Sequence, residues 1–169
     1  MNMFKNPRTK YINSLVLIVP MLIYYSAGLY HQDLNFDVIQ ENFKKSKSNT
    51  LSILEAMPED KYAYAPVDSV RSFSAQAYHI AYTLEFMRNQ FSGKDNKWNP
   101  GDENSMSKAE LIEWTKNGFD EMENFLNETK YNDRLLTNLI SVLDHNAHHK
   151  GQMIIYLRLN NIAPPEYQF

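Results

Sequence analysis

The chain has 169 residues, 43% of them hydrophobic and 22% charged, with a net charge of −3, which suits one domain with a substantial core. The absence of cysteine excludes disulfides, thiolate nucleophiles and cysteine-ligated zinc. Basic residues form no block outside the extreme N-terminus, so the electrostatic footprint of nucleic-acid binding is missing.

The first stretch reads as a targeting segment. Lys5, Arg8 and Lys10 precede an uncharged run from Tyr11 to Tyr30, with an apolar heart from Leu15 to Ile23. Ser26 and Gly28 supply small residues at the −3 and −1 positions, so residues 1–28 are expected to be a cleaved signal peptide. The rival reading is an uncleaved membrane anchor through residues 11–30, just long enough to span a bilayer. Pro20 and the polar Asn13 and Ser14 shorten the strongly apolar part and favour cleavage. The protein is then exported, periplasmic or secreted. Loss of residues 1–28 takes three of the 17 basic residues and none of the 20 acidic ones, moving the net charge from −3 to −6.

Residues 29–169 form the expected domain, and they read as four amphipathic helices. In the first, about Phe36 to Met57, Phe36, Ile39, Phe43, Thr50, Leu54 and Met57 recur at helical spacing, and Pro58 ends it. The connector contains Tyr64-Ala65-Pro66, and Ser69 is a candidate N-cap for a second helix that stops at Gly93. That helix has an inner face from Phe73 to Phe91. Tyr78, Tyr82 and Phe86 lie on another side, so cover from more than one direction is expected. After a polar loop with one aromatic, Trp98, the sequence Ser107-Lys108-Ala109-Glu110 has the form of a capping box opening the third helix. The fourth runs from about Arg134 to Asn160, before Pro164-Pro165. No stretch alternates as a strand would. The fold class is all-α, a four-helix bundle.

The fourth helix carries a polar layer within its apolar face. His145 and His149 stack one turn apart on a flank of that face, while Asn146 and Lys150 fall on the face itself. Lys150 therefore needs a partner, or must reach the surface. His148 points outward, within reach of Asp144. Gly151 costs the helix about 1 kcal/mol relative to alanine, which suggests close approach of a neighbouring helix. Histidines at i and i+4 are a helical chelate, and His79 in the second helix is the candidate third ligand. Spacing alone leaves two readings open: a metal, or core histidines that only hydrogen-bond. A carboxylate-bridged di-iron site is excluded, because no Glu-x-x-His occurs. Asn146 after His145 likewise excludes the His-Glu-x-x-His peptidase motif. Glu85 is the one helical carboxylate offered for the open side of such a site.

His79 in a mid-bundle helix, Asp144-His145-Asn146-Ala147-His148-His149-Lys150-Gly151-Gln152, and then Leu157-Arg158 and Pro164-Pro165 together resemble the DinB/YfiT-like superfamily of metal-binding four-helix bundles. The family's closing motif is similar to His-x-x-x-His-Arg-Gly-Gln, with Lys150 here in place of arginine. The resemblance implies a divalent metal, zinc or nickel, on His79, His145 and His149, with water at the remaining positions. Gln152 is a candidate for orienting a ligand. The activities it implies are metal-dependent hydrolase or thiol-transferase chemistry on a small molecule. Export argues against the thiol branch, because low-molecular-weight thiols are chiefly cytosolic. The alternative is a non-catalytic exported metal-binding or interaction bundle. No nucleic-acid partner is expected, and a homodimer is compatible with the sequence.

Overall fold

Pro58 leaves the first helix no way to continue, and the computed structural model turns the chain there. It describes residues 36–130 and 132–169, so both N-terminal readings, signal peptide 1–28 and anchor 11–30, lie outside the described residues. Within the compact unit Val38–Phe169, the first helix, α1, reaches residue 56. A single 3-10 turn, Glu59–Lys61, follows. α2 spans Phe73–Phe91, α3 Lys108–Glu128 and α4 Asp133–Leu159. No strand occurs among the described residues, and none of their helices is long and apolar enough to cross a membrane.

Local chemistry sets the helix ends. The capping box is present as read: Ser107 Oγ accepts from Glu110 N, and Glu110 returns the bond to the Ser107 N–H. Asn132 caps α4 by accepting from Leu135 N at 2.9 Å. The cap of α2 is Ser72 rather than the expected Ser69. The N–H groups of Phe73 and Ser74 are held by the carbonyls of Tyr64 and Tyr62, at 2.9 and 2.8 Å. That pairing keeps the connector out of helical geometry until Ser72.

The packing is up, down, down, up. Along α1 and α3, Lys47 pairs with Asp120 and Gln40 with Asn127, so these two run antiparallel. Between α2 and α3 the numbers rise together: Leu84 meets Gly118, Arg88 pairs with Glu121, and Phe91 packs on Phe125. α2 and α3 are therefore parallel. α4 runs back against α2, with Tyr156 bonded to the Arg71 carbonyl and Gln152 to Gln76. Phe73, Leu84, Leu111, Met122, Leu139, Met153 and Leu157 are fully enclosed.

Parallel neighbours require a crossover. Residues 92–107 must return along the length of α2 before α3 can start, and they do so over its aromatic side. Tyr82 Oη accepts from Asn99 N at 2.8 Å, Tyr78 donates to the Pro100 carbonyl, and Trp98 packs edge-on to Tyr82 and Phe86. This is the second cover expected for α2.

The close helix approach expected at Gly151 is found at a different glycine. A Cβ at Gly151 would meet nothing within 4 Å among the described residues, so none of their helices approaches there. Gly118, which the spacing did not single out, is the close approach: a Cβ there would lie 3.3 Å from Leu84 Cβ.

Candidate metal centre

α4 brings His145 and His149 to the same flank, and α2 presents His79 to them from across the groove. The ring centroids of His79 lie 5.1 Å from His145 and 4.7 Å from His149, and those of His145 and His149 are 4.4 Å apart. One ligand nitrogen from each ring falls within 4.8 Å of the others. His149 is 5% exposed and His79 9%.

Hydrogen bonds orient two of the rings. His149 Nδ1–H donates to Gln76 Oε1 at 2.5 Å, which leaves a lone pair on Nε2. Gln76 Nε2 donates in turn to Gln152 Oε1, and Gln152 Nε2 donates to His148 Nε2 at 2.7 Å. His79 Nδ1 lies 3.2 Å from Glu103 Oε1, so its Nε2 is likewise the free nitrogen. The other Glu103 oxygen takes Arg71 Nε at 2.6 Å. His145 Nδ1 is buried with no hydrogen-bond partner among the described residues.

The site disfavours protonated imidazole. Burial, then the neighbouring histidines, holds His149 down to about 3. Burial first and His79 second lower His145. Burial and the Arg71 charge lower His79, against the opposing pull of Glu103. Three neutral imidazoles are the form in which histidine binds a cation. His145 Nε2 and His149 Nε2 face each other at 3.1 Å. Two nitrogens on one zinc ion, each at about 2.0–2.1 Å in tetrahedral geometry, sit roughly 3.3 Å apart. The donor set therefore fits a divalent metal.

The structure brings His79, His145 and His149 together. Gln152 makes no direct hydrogen bond to the three rings among the described residues; it is linked to His149 through Gln76, a relay that α4 alone could not reveal. His148 is exposed but bonds Gln152 instead of Asp144. Glu85 is not at the site, being taken by Trp114 Nε1 at 3.1 Å. The carboxylate beside the histidines is Glu103, which comes from the crossover. Its signal was absent from helical periodicity, because its place depends on the route of the loop. Trp98 also belongs to the site, 5.5 Å from the His79 ring.

Comparison with known proteins bears on the fold and the family. No curated protein matches the chain. A DinB-like protein from Bacillus cereus superposes with a TM-score of 0.64 at 12% identity, covering 77% of this chain and 95% of its own. A DinB-like protein from Bacillus subtilis gives a TM-score of 0.57 at 18% identity, covering 78% and 96%. At those identities the likeness concerns the fold. The sequence itself matches the DinB superfamily over residues 42–153, a span that includes all three histidines, and the chain belongs to that superfamily.

Proposed function

We propose that this chain is an exported, divalent-metal-binding protein whose three-histidine centre serves a metal-dependent reaction on a small molecule, of hydrolase rather than thiol-transferase type. The observation that carries the metal is the pair of facing Nε2 atoms at 3.1 Å. With the His149 proton on Nδ1, that contact needs either a proton from His145 or a cation shared by both nitrogens. His79, His145 and His149 would hold the ion, zinc or nickel. When bound it supplies Lewis acidity toward an oxygen or sulfur atom of the substrate.

The protein's own residues do the rest. Gln76 and Glu103 select the tautomers that leave Nε2 free. Arg71 adds a half-exposed cation beside the histidines, suited to an anionic substituent. Trp98 (46% exposed), with Tyr82 and Phe86, forms an apolar wall next to His79.

One observation favours a second reading, a non-catalytic metal-binding bundle. Glu103 is engaged through both oxygens, by His79 and by Arg71, so the carboxylate at the site is not free to act as a base. Elemental analysis of protein expressed without added cation tests the metal: one equivalent is expected in the wild type and none in His149→Ala. Equal metal in both rejects the assignment. Turnover of esters, amides and thiol adducts in proportion to metal content supports the enzyme. A metal-loaded protein inert across that panel, yet more heat-stable than its metal-free form, supports the second reading.

A further inference from the structure

Lys150 sits in a different place from the histidines. It faces α1, is 3% exposed, and among the described residues its ammonium has one hydrogen bond, to Ser46 Oγ at 3.0 Å. The ring of Tyr167 lies under it, 5.6 Å from Nζ to the centroid. A hydroxyl and a distant ring do not replace the water removed from an ammonium, whose burial without a counter-charge is costly. The same ammonium lines a cavity of about 220 Å³ between α1, α4 and the chain after α4. A second cation, the half-buried Lys45, lines it too, along with the amides of Asn42 and Asn49. No aspartate or glutamate among the described residues lines it.

The roof is held in place. Asn49 Nδ2 donates to the Gln168 carbonyl and Gln168 N donates to Asn49 Oδ1, both at 2.9 Å. Gln168 Nε2 adds a bond to Ser48 Oγ at 3.1 Å. Two lysines and neutral amides line the cavity, and no acidic side chain among the described residues faces them. Its volume is below the roughly 300–1,000 Å³ of sites for drug-sized ligands.

We propose that this cavity binds a compact oxyanion, a phosphate or a small carboxylate, held by Lys150 at its base and Lys45 at its rim. Charge-assisted bonds from two ammonium groups give such an anion its affinity, and it gives Lys150 a counter-charge that none of the ion pairs among the described residues supplies. The site lies on the α1 side of α4, where Lys150 meets Ser46, whereas His149 on the same helix turns toward Gln76 of α2.

Thermal unfolding of the full chain with inorganic phosphate, acetate or sodium chloride at matched ionic strength tests this. A concentration-dependent rise in midpoint with phosphate or acetate beyond that with chloride is expected, and the stronger of the two names the anion. Two variants should lose it. Lys150→Met removes the buried ammonium and should weaken binding at least about tenfold. Lys45→Glu, at the half-buried rim, builds in a carboxylate and should abolish the response without touching the core. Equal midpoints in all three salts, or a Lys45→Glu protein that responds as the wild type does, would overturn the proposal.

Discussion

Replacing Gln76 by methionine tests the metal centre without removing a ligand. Gln76 is 2% exposed, so a side chain of similar length fills its space while losing the carbonyl that accepts from His149 Nδ1–H. A buried donor left without an acceptor costs about 1–3 kcal/mol. Gln152 Oε1 loses its donor in the same step. The His149 ring is then free to turn, and the tautomer with Nε2 open is no longer selected. Loss of such an orienting partner lowers metal affinity by about 10–100-fold, or roughly 1.4–2.8 kcal/mol. His145 lacks a compensating anchor, because its own Nδ1 has no partner among the described residues. Competition with a chromophoric chelator reads the change directly, and circular dichroism confirms that the helices persist. Gln76→Glu is the counterpart: a carboxylate accepts the same proton more strongly, so affinity should be kept or raised. A folded Gln76→Met protein with wild-type affinity would refute the reasoning. So would equal losses in both variants.

Glu103→Gln should weaken metal binding by only a few fold, measured in the same competition assay, since the bond to His79 is longer, at 3.2 Å, and lies nearer solvent. The two glycines give opposite outcomes in thermal denaturation. Gly151→Ala, with open space around it, should stabilise by up to about 1 kcal/mol, whereas Gly118→Val would drive extra methyls against Leu84 and destabilise by about 1–3 kcal/mol. Tyr62→Phe should cost about 1 kcal/mol by deleting the 2.6 Å bond to the Leu54 carbonyl. Burial raises the Tyr62 pKa above its ordinary value of 10.0, so the folded state keeps the phenol proton that the unfolded chain releases. That contribution is intact below pH 10 and falls away above it, and urea melts at high pH should show a steeper loss in the wild type than in Tyr62→Phe, which keeps only the similar but separate effect of Tyr78.

The helices were legible because each depends on neighbours three and four residues away. Ser107 and Glu110 cap α3 as written, and Asn146 and Lys150 are buried where the wheel put them. His145 and His149 share a flank for the same reason. The cap of α2 was misplaced because backbone bonds to Tyr62 and Tyr64 decided it, and a residue's own side chain does not encode those. Gly151 was misjudged for a related cause: a glycine's neighbour lies on another helix, and its sequence position does not say which one approaches.

The amino-acid order alone therefore determined four amphipathic rods, their ends within a few residues, and the three imidazoles worth bringing together. Periodicity and capping are local, and local rules suffice for them. Tertiary structure decided the rest, beginning with the parallel pairing of α2 and α3. That pairing obliges residues 92–107 to travel back along α2, which delivers Glu103 to His79 and Trp98 to its wall. The Gln76 relay and the cavity around Lys150 also join residues more than seventy positions apart. Only the relative placement of whole helices brings such groups within bonding distance.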